Sequence, residues 1–166
     1  FLGFNIREYN GRLIIKPSQK SQKRLLSQTH EIILGKGKQF TQRQLIGCLN
    51  HVLRGWGNYY SHVCSKSTFS KINHLIIMQL LRWSHRRHSH KSRSWAVDKY
   101  YVQRAHRKWI FGYKYEDGNH TKYHTLINLA DIPIRRYTKI RKNVNPFSKE
   151  WENYLSNRKK YRLGGG

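Results

Sequence analysis

Three groups of side chains in this sequence have the types and spacing for chemistry: close pairs of acids, a set of Cys and His, and a stripe of cations. The acids are few, only Glu8, Glu31, Asp98, Glu116, Asp117, Asp131, Glu150 and Glu152. General acid and base work calls for carboxylates brought together, and only Glu116-Asp117 and Glu150 with Glu152 are close in sequence. The first pair falls on a turn and the second in the first turn of a helix, where acids favour the dipole. Neither is read as catalytic. No phosphate-cradling glycine loop and no Gly-x-Ser-x-Gly elbow occurs. Cys48-x-x-His51 with His62-x-Cys64 supplies four ligands of the kinds zinc accepts. Cys48 also borders the apolar face of its helix, where a buried thiol is ordinary, and no metal site is expected. His85, His88 and His90 lie beside Arg86, Arg87 and Lys91, which would repel a metal cation.

The cations are the larger signal. The 166 residues carry 33 Lys and Arg against 8 acids, a net charge of +25. Such a chain repels itself at low salt and favours a polyanionic partner, nucleic acid first and an anionic membrane second. Aromatics make up 13% of the chain, unlike a disordered basic tail. No apolar run approaches the ~18 residues of a membrane span, so no membrane partner is expected. On a helix beginning at Thr41, Arg43, Gly47, Asn50, Arg54 and Asn58 fall near one direction at about 100° per residue, opposite Leu45, Leu49, Val52, Trp56 and Tyr60. Guanidinium groups bind phosphate, and Gly47 permits close backbone approach. Ordinary solvated faces mix both signs; this one has no acid. Trp56 and Tyr60 have the phase of core residues, so base stacking is not assigned to them. Further residues expected to face RNA or DNA are Lys20, Lys23, Arg24, Lys36, Lys38, Lys66, Lys71, Arg82, Arg86, Arg87, Lys91, Arg93, Arg135, Arg136, Lys139 and Arg141.

These side chains need a scaffold. Residues 1–17 read as a β-hairpin, with Asn10-Gly11 between apolar runs as the turn. Leu25, Leu26, Ile32 and Ile33 give a first helix that Gly35-Lys36-Gly37 stops. Thr41-Gln42-Arg43-Gln44 matches a capping box for the second. A third runs through Phe69, Ile72, Ile76, Leu80 and Trp83 into a basic exit. Ser94 to Arg107 fits a short helix, Trp109 to Tyr113 a strand before an Asp117-Gly118 turn, and Ser148 caps a last helix bearing Trp151, Tyr154 and Leu155. The expected division is a hairpin at 1–17, a helical domain at 18–94, a basic domain at 95–163 and a glycine tail at 164–166. The start, Phe1-Leu2-Gly3-Phe4, has neither an initiator Met nor a signal-peptide layout, as expected of a piece of a larger protein. Cys48 and Cys64 are too few for a disulfide framework.

Leu53-Arg54-Gly55-Trp56-Gly57-Asn58-Tyr59-Tyr60, together with Phe1-Leu2-Gly3-Phe4, resembles the C-terminal part of group II intron reverse transcriptases and maturases. Phe-Leu-Gly-Phe looks like their last palm segment, and Gly-Trp-x-x-Tyr-Tyr like part of their maturase thumb, or X, domain. Ile132-Pro133-Ile134-Arg135-Arg136-Tyr137 and Asn145-Pro146-Phe147 with Glu150-Trp151-Glu152-x-Tyr154 are similar to the DNA-binding segment that follows. The fold expected is mainly α: an N-terminal β-hairpin, a three-helix thumb-like bundle, then a small basic α+β or irregular C-terminal domain. The resemblance implies binding of group II intron RNA to assist splicing, and contact with template-primer or target DNA in retrohoming. It also implies a polymerase part of the same protein as a partner, and a ribonucleoprotein in a bacterial cytoplasm or an organelle. The Tyr-x-Asp-Asp motif and the cysteine-rich endonuclease region of the family are absent. The chain is therefore expected to have no catalytic activity and no cofactor of its own, with Mg2+ belonging to the intron RNA and to the polymerase palm. Two other readings fit the same residues: a general structural RNA-binding protein of a ribonucleoprotein, and a repurposed fragment that bridges nucleic acid and a protein partner.

Overall fold

Asn10 and Gly11 have φ of 47° and 70°, the two left-handed residues that a two-residue hairpin turn requires. They join β1 (Phe4–Tyr9) to β2 (Arg12–Pro17) in antiparallel register from Phe4 opposite Pro17 to Tyr9 opposite Arg12. This computed structural model describes residues 2–104, 107–135, 143–145 and 147–163, without the side chains of 158–163. The chain divides into two compact units, residues 1–136 and 137–166.

Three of the four α-helices of the first unit begin where a polar side chain satisfies a free N–H group. Ser18 accepts from the Ser21 amide to open α1 (Gln19–His30), which runs on as a π-helical turn, Glu31–Gly35, and a 3-10 turn, Lys36–Lys38. Thr41 and Gln44 form the capping box of α2 (Gln42–Tyr60), with the Thr41 amide donating to Gln44 Oε1 at 2.9 Å. The Ser65 hydroxyl donates to the Tyr60 carbonyl at 2.7 Å where α2 gives way to α3 (Lys66–Arg87). Ser92 caps α4 (Arg93–Tyr100). This helix is shorter than the sequence suggests, because Tyr101 and Val102 leave it to pair with Phe111 and Ile110.

The pairing builds an antiparallel sheet of β3 (Tyr101–Arg104), β4 (Arg107–Asp117) and β5 (His120–Thr125), in that order. Gly112 is required in β4, since a Cβ there would stand 2.5 Å from the His124 carbonyl oxygen. Between Val102 and Arg104 the register shifts, so that Lys108 and Trp109 oppose a single residue, Gln103. Trp109 occupies this bulge with φ of 68°, a left-handed conformation that glycine favours and a bulky residue holds at a cost of roughly 1–3 kcal/mol.

One hydrophobic core unites these elements. Leu45, Ile46, Leu49 and Leu53 of α2 meet Phe69, Ile72, Ile76 and Leu80 of α3, and Phe111 and Leu129 join the same cluster. Phe111 is 1% exposed, with the rings of Trp83, Tyr100 and Tyr101 at 5.9, 6.4 and 5.3 Å. A polar link crosses between α1 and α3: the buried Thr29 hydroxyl donates to Gln79 Oε1 at 3.0 Å, and Gln79 Nε2 donates to the Leu26 carbonyl. The fold is mainly α with a hairpin at its start and an α+β part at its end. Unit two contains a 3-10 turn, Lys149–Trp151, leading into α5 (Glu152–Leu163), with the Trp151 and Tyr154 rings edge to face at 6.0 Å. Ser148 precedes that turn without a side-chain capping bond. Among the described residues no helix is long and apolar enough to cross a membrane.

Candidate nucleic-acid interface

Helix α2 separates its two faces cleanly. Leu45, Ile46, Leu49, Leu53, Gly57 and Tyr60 are buried, while Arg43, Gly47, Arg54 and Asn58 are exposed. Lys20, Lys23 and Arg24 are exposed on α1, Lys36 and Lys38 on the following turn, and Lys71, Arg82 and Arg86 on α3. Lys36 pairs with Glu31 at 3.7 Å; the two α2 arginines, Lys71, Arg82 and Arg86 have no hydrogen bond or ion pair among the described residues. The reason is compositional. No acid occurs between Glu31 and Asp98, a span with eleven Lys and Arg. Apart from Glu31 at Lys36 and Asp131 acting on Lys66, these cations have little local compensation, the condition under which phosphate binds and counterions are released.

The aromatic end of α2 serves a different purpose. Tyr60 is 3% exposed, and its hydroxyl donates to the Gly3 carbonyl at 3.0 Å and lies 2.6 Å from the Ser21 hydroxyl. Trp56 Nε1 donates to Ser21 Oγ at 3.1 Å, and its ring packs on Tyr60 and Phe69 at 4.6 and 5.7 Å. The Tyr59 hydroxyl donates to the Leu2 carbonyl while its ring stacks on Phe4 at 5.3 Å. These three aromatics bolt the hairpin and α1 to α2, in keeping with the core phase of Trp56 and Tyr60. Gly57 lets Leu129 and Ile132 seat against the helix, because a Cβ would collide with both side chains.

Three residues that the sequence groups with the nucleic-acid face have their polar atoms engaged within the protein. Asn50 is half-buried: its Nδ2 donates to the Thr125 carbonyl at 3.0 Å, and its Oδ1 accepts from the Ile127 amide at 2.8 Å. Lys66 Nζ donates to the carbonyls of Ala130 and Ile132 at 2.6 and 2.9 Å. The Arg87 guanidinium donates to the Phe40 carbonyl at 2.7 Å and lies 5.1 Å from the Trp83 ring centre. In each case the partner is a backbone group distant in sequence, which a helical wheel cannot foresee.

A second cationic region surrounds α4. Lys91 and Lys99 lie 5.7 and 4.8 Å from the centre of Trp95, and Arg93 lies 5.6 Å from that of Trp109. His88 bonds the Tyr100 hydroxyl at 2.6 Å, and its imidazole is held below its ordinary range by desolvation, then by Lys99, Arg87 and Lys91. Arg135 is exposed, with its backbone tied to the Ser61 carbonyl and His62 Nδ1. Arg136, Lys139 and Arg141 lie outside the described residues. Cys48 and Cys64 are both exposed, and among the described residues no three His, Cys, Asp or Glu side chains are placed to share a metal ion. Arg107 pairs with Asp131, and that bond holds the Asp131 carboxyl below its ordinary range.

Residues 22–101 match the family model described as the group II intron, maturase-specific domain. The matched stretch, just under half of the chain, is similar to a group II intron maturase-specific domain. The match runs from within α1 through α4, so the eleven Lys and Arg between Glu31 and Asp98 fall entirely inside it. No curated protein matches the chain.

Proposed function

We propose that this chain is the nucleic-acid-binding C-terminal region of a group II intron maturase, and that its maturase-specific domain holds the intron RNA while the RNA supplies the splicing chemistry. The observation that supports this is the set of exposed cations on α1, α2 and α3, in a stretch similar to that family's domain whose α2 and α3 contain no acid of their own. Phosphate contact by Arg43 and Arg54 clamps the RNA; base identity is not read by these groups. Contact with template-primer or target DNA falls to the cations beyond the domain, including Arg135. Mg2+ belongs in this scheme to the RNA, and the chain is a binding module in which no carboxylate pair performs chemistry. The exposed Leu2, Ile6 and Leu13 on and before the hairpin support a protein contact there, for which the polymerase part of the same protein is the candidate.

Salt titration tests the clamp. If Arg43 and Arg54 each neutralise one phosphate, replacing both by Ala lowers the slope of log K against log salt by at most about two units, with the melting temperature unchanged. An unchanged slope with full affinity removes α2 from the interface.

A further inference from the structure

We propose that Trp109, braced by Arg93, is a stacking platform for an unpaired base of a single-stranded nucleic acid. The inference rests on the nucleic-acid reading above and assigns a different part of the surface, the bulge of β4. Of the five Trp, Trp109 alone falls in the exposed class, at 42%, whereas Trp83 is buried and Trp56, Trp95 and Trp151 are half-buried. Its ring has no hydrogen bond and no aromatic neighbour among the described residues, and the Arg93 guanidinium at 5.6 Å from its centre is its partner. The backbone beneath it is left-handed in a strand bulge, a place where glycine would relieve the strain.

A large ring held in a strained conformation, 42% exposed and with no aromatic neighbour among the described residues, marks a contact with something outside the fold. The surroundings choose the occupant. Arg93 at the ring, Lys91 and Lys99 beside Trp95 of α4, and Lys108, next to Trp109 in sequence, are all exposed. An aromatic face amid cations matches a base with its phosphates: the ring stacks on the base and the guanidinium and ammonium groups meet the backbone. Duplex nucleic acid keeps its base faces stacked and offers this ring nothing, so the platform discriminates for unpaired nucleotides.

The test uses the full chain at one fixed salt concentration with four fluorescent probes: oligo(U), oligo(dT), and an RNA and a DNA duplex of the same length. Because Gly suits the bulge, W109G removes the ring while relieving the backbone, and W109F keeps an aromatic face. The expected result is a loss of roughly 5- to 100-fold in single-strand affinity for W109G, corresponding to one stacked base. W109F should stay within about threefold of wild type, and duplex affinity, salt slope and melting temperature should hold. Losses on oligo(U) alone or on oligo(dT) alone both support the platform and identify which strand uses it. Equal single-strand binding by wild type and W109G overturns the platform and leaves the maturase reading standing, as does an equal loss on all four probes. A wild-type chain that binds none of the four overturns both.

Discussion

Asn50 tests whether a polar residue on α2 belongs to the RNA or to the fold. Its amide spans from α2 to the end of β5, donating to the Thr125 carbonyl at 3.0 Å and accepting from the Ile127 amide at 2.8 Å. Replacing it with Ala removes two hydrogen bonds and strands a part-buried backbone N–H and C=O. At about 1–2 kcal/mol for each lost bond and its stranded partner, the cost is about 2–4 kcal/mol. With about 2–4 °C per kcal/mol for a chain of this size, the melting temperature falls by roughly 4–16 °C. Thermal melts followed by circular dichroism measure this, and RNA binding is then compared at a temperature where both proteins are folded. The expected outcome is a destabilised variant whose RNA affinity at that temperature is within about twofold of wild type. An unshifted melt with weakened RNA binding would refute the reasoning and return Asn50 to the interface beside Arg43 and Arg54.

Three further predictions concern the scaffold. Trp56→Ala removes a ring packed on Tyr60 and Phe69 and should cost about 3–5 kcal/mol in denaturant unfolding; an unchanged midpoint with lost RNA binding would mean that the ring serves the RNA. The Tyr101 hydroxyl is buried with no hydrogen-bond partner among the described residues, and burial pushes its phenol well above the ordinary range. Tyr101→Phe should therefore raise stability by roughly 1 kcal/mol, and a fall would show that the hydroxyl is satisfied. Asp131 has its folded pKa depressed first by the hydrogen bond from Arg107, so its contribution is present above the unfolded carboxylate pKa of about 3.9 and is lost as pH falls through the folded value. The melting-temperature gap between wild type and Asp131→Asn should close on acidification below about pH 4; a gap that is constant with pH would contradict this.

The elements that local chemistry dictates were legible in the sequence. Asn10-Gly11 set the hairpin turn, the Thr41 and Gln44 pair opened α2, and the period of Leu45, Leu49 and Tyr60 marked its buried face. β5 was not legible, because His120-Thr121-Lys122-Tyr123-His124-Thr125 lacks apolar alternation and is a strand by virtue of pairing with β4. Missing that strand is what left Asn50 on the polar face, since nothing nearby in sequence reveals that Thr125 and Ile127 will meet it. The acceptors of Lys66 and Arg87, carbonyls of Ala130, Ile132 and Phe40, are hidden from the sequence for the same reason. Arg43 and Arg54, by contrast, are exposed, with no hydrogen bond or ion pair among the described residues.

The central claim is that the cation face of the maturase-specific domain holds a particular RNA. The most direct measurement is competition, at one near-physiological salt concentration, between the parent group II intron RNA and an unrelated structured RNA of equal length. The intron RNA is expected to displace the unrelated RNA at a much lower concentration than the reverse, and the Arg43→Ala, Arg54→Ala double variant is expected to bind both more weakly. Equal displacement by the two RNAs would contradict the central claim, leaving a basic surface that binds any structured polyanion.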